Sequence, residues 1–328
     1  MLLTDIFENF RNTCITSYSL DPVHYYTAPG LSWDTMLKKT GENLQLLDDI
    51  DMVGMIQKGI RGGVSMITQT YGTANNPKVP DYDEKAPRSW ITYLDMNNIY
   101  GTAVEESLPE KDFTWMSEEQ IATLDVTKIA DDSDNGYVLE VDLEYPVHLH
   151  DLHNDYPLAP EPKIVTDDML SKHSSELKAK LKIKGKPSVK LVPNLSNKTK
   201  YVLHYRNLKL YLAYIVQEFV GLRSKMYSLK YEVILENDQG EILKYSKDKK
   251  TAKGVSRAVI DKQLKHDAYR DCLFQQTSMN HEMNFIRSHC HQLYSFIVNK
   301  TSLSPYDDKR HVSEDGFHTL VHGHYKIP

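Results

Sequence analysis

The apolar pattern of this chain changes period several times and never settles into a repeating strand–helix–strand order. That rules against a parallel α/β architecture and makes the predicted class α+β. Leu3, Ile6, Phe7 and Phe10 recur at helical spacing, so a helix is expected over 3–18. Pro22 and Pro29-Gly30 break it. Ser32 has the character of an N-cap, and Trp33, Met36 and Leu37 share a face of a second helix that Gly41 ends. Leu47, Ile50, Val53 and Ile56 predict a third helix over 43–59, stopped by Gly59. The stretch 72–88, with Asn75, Asn76, Pro77, Pro80 and Pro87, reads as loop. Trp90 to Asp95 reads as a buried strand, and 137–144 as a half-buried one, because Tyr137, Leu139, Val141 and Leu143 alternate with polar residues. A loop rich in His, Asp and Pro follows to about 163. A helix is expected over 205–219. Two strands, 229–236 and 241–246, flank the turn signal Asn237-Asp238-Gln239-Gly240. A helix over 255–273 and a last strand over 291–298 complete the pattern, and no internal repeat is visible.

Charge is unevenly placed. The chain of 328 residues has a net charge of -6. Residues 171–200 hold nine lysines against one acid, Glu176, a local charge of +8 that leaves -14 for the remainder. Lysines gain affinity for phosphates by releasing counterions, which makes this tract a candidate nucleic-acid contact. Mutual repulsion in a solvated loop would produce the same composition. The alternation of Lys178, Lys180, Lys182, Lys184 and Lys186 would place them on one face of a strand, whereas Gly185 and Pro187 favour a hairpin tip.

Several function classes find no support. No apolar run approaches the roughly 18 residues of a membrane span. The beginning, MLLTDIFENF, lacks a basic segment and carries Asp5 and Glu8, so a secretory signal is not expected. Cys14, Cys272 and Cys290 form no CxxC pair, which fits a reducing compartment, nucleus or cytoplasm, rather than a disulfide framework. Neither a nucleophile elbow nor a Walker loop occurs. His148, His150 and His153, near Asp151 and Asp155, have the chemistry of a zinc site, but the spacing is short and Pro146 and Pro157 flank it. His289, Cys290 and His291 have no partner motif, and Asp131, Asp132 and Asp134 read as a solvated turn.

The sharpest motif is Tyr93-Leu94-Asp95-Met96-Asn97-Asn98-Ile99-Tyr100-Gly101. An acid at the end of an apolar strand sits on a rigid support, and such a carboxylate suits Mg²⁺, which prefers oxygen ligands. An Asp opening an ordinary turn has the same local appearance. The segment resembles motif A of family B DNA polymerases, closest to the protein-primed branch of viruses, linear plasmids and mobile elements. Four further stretches resemble that branch in the expected order. They are the block from Asp21 to Asp34, Gly59-Ile60-Arg61-Gly62-Gly63, the K-x-Y of Lys225 and Tyr227 within 219–227, and the ending from Asn299 to Tyr325.

The resemblance implies a DNA-directed DNA polymerase with primer-template DNA and deoxynucleoside triphosphates as partners; whether a terminal protein primes synthesis is unknown. It makes Asp95 the catalytic Mg²⁺ ligand. Asn97, Asn98 and Tyr100 would bind the nucleotide, with Tyr100 excluding ribonucleotides. Arg61, Gly62 and Gly63 would contact the template, where glycine permits close approach of backbone to DNA. Lys225 and Tyr227 would grip the primer. Residues 1–70 would be helices connecting exonuclease to polymerase. Residues 71–212 would be a partial palm, an antiparallel sheet with packed helices. Residues 213–328 would be the K-x-Y region and thumb-side segment.

Two-metal phosphoryl transfer needs carboxylates on both sides of the reacting centre. The family supplies the second from a DTD motif, and none occurs in this chain. Its K-x-x-x-N-x-x-x-G-K helix, which neutralises the triphosphate, is missing as well. The block His204–Leu212 runs almost directly into Phe219, so the fingers and half the palm are expected to be deleted near residue 212; a wrongly joined gene would leave the same gap. Tyr306-Asp307-Asp308 mimics a reverse-transcriptase YDD, but Ser304-Pro305 suits a catalytic strand hairpin poorly. The expectation is a defective polymerase fragment, with a non-catalytic nucleic-acid-binding or interaction protein derived from it as the alternative.

Overall fold

A computed structural model describes residues 2–92, 97–183, 188–213, 226–236, 242–252, 254–290 and 292–328, with the backbone alone for 2, 226–236 and 242–249. The class is α+β: nine α-helices and five two-stranded antiparallel sheets occur among the described residues. The chain divides into two compact units, Met1–Gln57 with Asp95–Tyr137, and Lys58–Leu94 with Val138–Pro328.

The first unit is helical. Helix α1 (Leu2–Tyr18) is followed by α2 (Ala28–Thr40), α3 (Ile50–Gly59), α4 (Ile99–Glu105) and α5 (Glu118–Thr123). Arg11 joins α1 to the next turn through Asp21, with Nη2 2.7 Å from Oδ2 and Nε 3.0 Å from both oxygens. Helix α2 starts four residues before the predicted Ser32, because Thr27 caps it and Pro29 lies in the first turn, where a missing N–H costs nothing. Gly41 ends it at φ 76°. Helix α3 starts at Ile50 rather than 43. The Asp49 carboxylate accepts from the amides of Asp51 at 2.8 Å and Met52 at 3.3 Å, taking over the first orphan donors. Only Cys14, Pro22 and Leu31 are buried among the described residues of this unit.

The second unit holds every strand found among the described residues. Strand β1 (Val138–Leu143) pairs with β4 (Lys198–His204), and β2 (Glu161–Ile164) with β3 (Val189–Val192). Helix α6 (Lys172–Lys180) lies between β2 and β3 in sequence, and α7 (Tyr205–Ala213) follows β4. Strands β5 (Met226–Glu236) and β6 (Ile242–Ala252) form the expected hairpin with longer arms. Helices α8 (Arg257–Lys262) and α9 (His266–Phe274) replace the single helix predicted over 255–273. The break holds Leu264, wholly buried in a core with Ala252, Ile260, Cys272 and Leu303. Strands β7 (Met279–His289) and β8 (Gln292–Leu303) form a second ribbon, of which the sequence predicts one arm. The short pair β9 (His311–Val312) and β10 (Thr319–Leu320) closes the chain.

Two strand expectations are corrected. Trp90, Ile91 and Thr92 carry no strand, and Trp90 and Ile91 are 61% and 54% exposed. The nearest pairing is the isolated Asn75–Ser89 bridge, so among the described residues no second strand supports an extended segment there. Lys178 and Lys180 stand on helix α6, capped by Ser171, and not on a strand. No sheet among the described residues exceeds two strands.

Candidate nucleic-acid interface

The motif A block is described from Asn97 onward; Asp95 lies outside the described residues. Asn97 and Asn98 form a turn, with Asn98 in the left-handed region at φ 50°. Asn tolerates that conformation better than most residues. The Asn98 carbonyl accepts from the Thr102 amide at 3.0 Å, which starts α4. A Cβ on Gly101 would collide with the Asn98 side-chain amide at 2.1 Å, so glycine is what lets the turn fold over the helix. Tyr100 is 86% exposed. These residues belong to the first unit, whereas Arg61, Gly62 and Gly63 belong to the second.

Arg61 is built into the fold. Its guanidinium lies 3.8 Å from the Tyr201 ring centroid, and Nη1 donates to the carbonyls of Val202 at 2.6 Å and Gly59 at 3.1 Å. The backbone comes this near β4 because residue 59 is glycine: a Cβ there would sit 3.2 Å from Val202 Cγ1. Gly62 and Gly63 face open space, where a Cβ would meet no atom within 4 Å. Of this trio, the two glycines offer accessible backbone and the arginine does not offer a free cation. Lys225 lies outside the described residues, and Tyr227 is placed by backbone alone, opposite Thr251 in the β5–β6 register.

Three of the described lysines of the tract are paired with carboxylates that lie outside it in sequence. Lys178 pairs with Asp167 at 2.5 Å, Lys190 with Asp308, and Lys198 with Glu161 at 3.2 Å. Lys180 donates to the Gln275 carbonyl at 3.2 Å. Lys198 is the extreme case, with no side-chain exposure and further bonds to Asn194 O at 3.1 Å and Ser196 O at 2.6 Å. Burial pushes its ammonium down to about 8 against the opposing pull of Glu161. For Glu161, burial raises the pKa, but Asn194 and Lys198 outweigh it and hold the carboxyl below its ordinary range. Lys172, Lys180, Lys182 and Lys200 are exposed among the described lysines of the tract.

The histidine and acidic motifs are divided between buried and exposed positions. His150 and His153 are buried while His148 is exposed. His150 Nδ1 accepts from the Tyr325 amide at 3.0 Å, and Tyr145 Oη and His153 Nδ1 share a hydrogen bond of 2.5 Å. Asp151 holds Tyr325 Oη at 2.7 Å and Lys326 Nζ at 2.5 Å, fastening the end of the chain. Asp132 and Asp134 lie in an exposed turn. Cys290 is exposed at the β7–β8 turn. The YDD mimic is a loop, not a strand hairpin: Asp307 Oδ1 accepts from the Lys309 amide at 3.0 Å and Asp308 is engaged by Lys190. No group of three or more His, Cys, Asp or Glu is placed to hold a metal among the described residues.

No family model, curated protein or solved structure matches this chain. No helix among the described residues is long and apolar enough to cross a membrane.

One group was not legible as special in the sequence. Arg310 is 1% exposed, and its guanidinium donates to Thr319 Oγ1 at 2.6 Å, Asn154 O at 2.8 Å and Thr319 O at 3.2 Å. Burial pushes its pKa down to about 10. Thr319 Oγ1 in turn donates to Thr68 O at 2.6 Å. Residues 68, 154, 310 and 319 meet only in the tertiary fold, and no spacing in the chain signals it.

Proposed function

We propose that this chain is a remnant of a family B DNA polymerase that binds nucleic acid and does not perform effective nucleotidyl transfer. The observation that carries the reading is the ordered set of five sequence blocks, centred on Tyr93–Gly101, in a chain without the second catalytic carboxylate motif. Two structural features support the loss of catalysis. The segment entering the motif is exposed at Trp90 and Ile91 and carries no strand through Thr92, so the approach to Asp95 lacks the sheet support that fixes a catalytic carboxylate. Asp307 and Asp308, the nearest sequence mimic of a paired acid motif, are tied to Lys309 and Lys190.

On this reading Asp95 is the residue that would hold Mg²⁺, whose chemistry in the family is charge stabilisation at the transferring phosphoryl group. One carboxylate could hold a single Mg²⁺ completed by water and phosphate oxygens, but not the pair of ions that two-metal transfer requires. Asn97, Asn98 and Tyr100 would face the nucleotide, and Gly62-Gly63 would let backbone approach the template. The test is primer extension on templated DNA with Mg²⁺ or Mn²⁺, comparing wild type with Asp95→Asn. Absence of extension by a folded protein that still binds DNA is expected. Extension abolished by Asp95→Asn would show an active centre with a replacement acid and would overturn the reading.

A further inference from the structure

Both long ribbons keep aromatic residues and acids on opposite faces, although in β7–β8 it is the aromatic face that carries the buried Met283 near the root. In β7–β8, Phe285 pairs with Phe296 and Arg287 with Tyr294, so these four share one face. The rings form a ladder, with Phe285 and Phe296 centroids 5.9 Å apart and Tyr294 and Phe296 6.0 Å apart. The Arg287 guanidinium lies 5.0 Å from the Phe296 centroid. Phe285 and Tyr294 are still 42% and 46% exposed. The one acid of this ribbon, Glu282, falls on the opposite parity.

In β5–β6, Tyr231 pairs with Lys247, Val233 with Tyr245 and Leu229 with Lys249. The register therefore collects Tyr231, Tyr245, Lys247 and Lys249 on one face. The acids of the two strands, Glu232, Glu236 and Asp248, all take the other parity, together with Lys230, Lys244, Lys250 and Ala252, so the aromatic face has a net positive charge and the other face is balanced. Ala252 is buried in the core with Ile260, Leu264, Cys272 and Leu303, so the acid-bearing parity is the one that enters the core at the ribbon's root. Strand β8 ends at Leu303 in that same core, and Met279 of β7 packs against it.

We infer that these acid-free aromatic faces form a stacking platform for single-stranded DNA. This rests on the nucleic-acid-binding function proposed above and names the form of nucleic acid and the surface. Cross-strand aromatic pairing would stabilise an isolated ribbon without any sorting of acids. A polyanion with unpaired bases rewards both features, since rings stack on bases and cations neutralise phosphates. In a duplex the bases are already stacked on each other, so a ring ladder favours the single strand.

The experiment is fluorescence anisotropy of a labelled oligothymidylate of about 20 nucleotides and of a duplex of equal length, over a series of salt concentrations. Wild type is expected to prefer the single strand. Phe285→Ala with Tyr294→Ala should weaken binding by about 5- to 150-fold, the equivalent of one stacked base at about 1–3 kcal/mol, with the salt dependence unchanged. Lys247→Ala with Lys249→Ala should reduce the slope of log K against log salt by about 1.4. The pair Phe285→Tyr and Tyr294→Phe keeps both rings and should keep affinity, which separates stacking from failure to fold. Wild-type binding that ignores both face variants, or equal affinity for the duplex, overturns this inference and leaves the proposed function standing. No binding of either DNA at low salt overturns both.

Discussion

The second unit buries two cations, Lys198 and Arg310, among its apolar residues. A buried guanidinium is tolerated only when its donors are matched, because an unpaired buried charge costs several kcal/mol. Arg310 meets this with Asn154 and Thr319, on either side of its planar fork. Lysine presents one compact ammonium and cannot span both partners. Arg310→Lys and Arg310→Met are each expected to destabilise the protein by about 3 kcal/mol, read as a shift of the urea midpoint at unchanged slope. A shift within experimental error in both variants would show that the network contributes nothing. Arg61 illustrates how a residue type is visible in the chain while its commitment is not. The Gly59–Gly63 block marks it as a DNA contact, yet its cation is spent on Tyr201 and Val202, 141 positions away in the latter case.

At the scale of elements, local signals were legible where capping or alternation is strong. Gly41, Gly59, the alternation of 137–144 and the expected strand pair 229–236 and 241–246 agree with the observed α2, α3, β1 and β5–β6; Asn237–Gly240 lie outside the described residues. Errors arose where tertiary contacts override periodicity. The 255–273 pattern is helical throughout, but burying Leu264 beside Leu303 favours two helices over one. Leu264→Ala should cost about 3 kcal/mol, a typical value for a fully buried leucine. A loss below about 1 kcal/mol would mean that the break is not set by this packing. Strand β7 was missed because polar residues crowd its sequence; its partner β8 supplies the apolar rows that make it a ribbon.

At the scale of the whole molecule, burial is concentrated in the second unit. It contains the buried histidines, and these set the response to acid. Burial lowers the pKa of His204, His311, His322 and His324 below the ordinary 6.5. The unfolded chain therefore binds these protons at a higher pH than the folded one. The stability they contribute is complete above pH 6.5 and is lost as pH falls through the depressed folded values. His324 Nδ1 accepts from the Lys326 amide at 3.1 Å, so protonating that nitrogen also breaks a bond near the end of the chain. The melting temperature is expected to fall between about pH 7.5 and about pH 5.5 in calorimetry. A constant value across that window would rule out the histidine contribution.

What the sequence by itself determined are the features with a local cause: the α+β class, the helix stops, the alternation of β1 and the two arms of the β5–β6 hairpin. Each rests on residues within a few positions of one another, where caps, turns and alternation act. Tertiary structure alone decided which charges are free. The +8 tract reads as an open phosphate contact along the chain, but Asp167, Glu161 and Asp308 come back to it and neutralise three of its lysines. It also decided that Trp90 to Thr92, ahead of Asp95, form no strand, since strand support comes from a neighbour and not from the segment itself. Local propensity is written in short windows, whereas pairing of charges and strands depends on which distant segments meet.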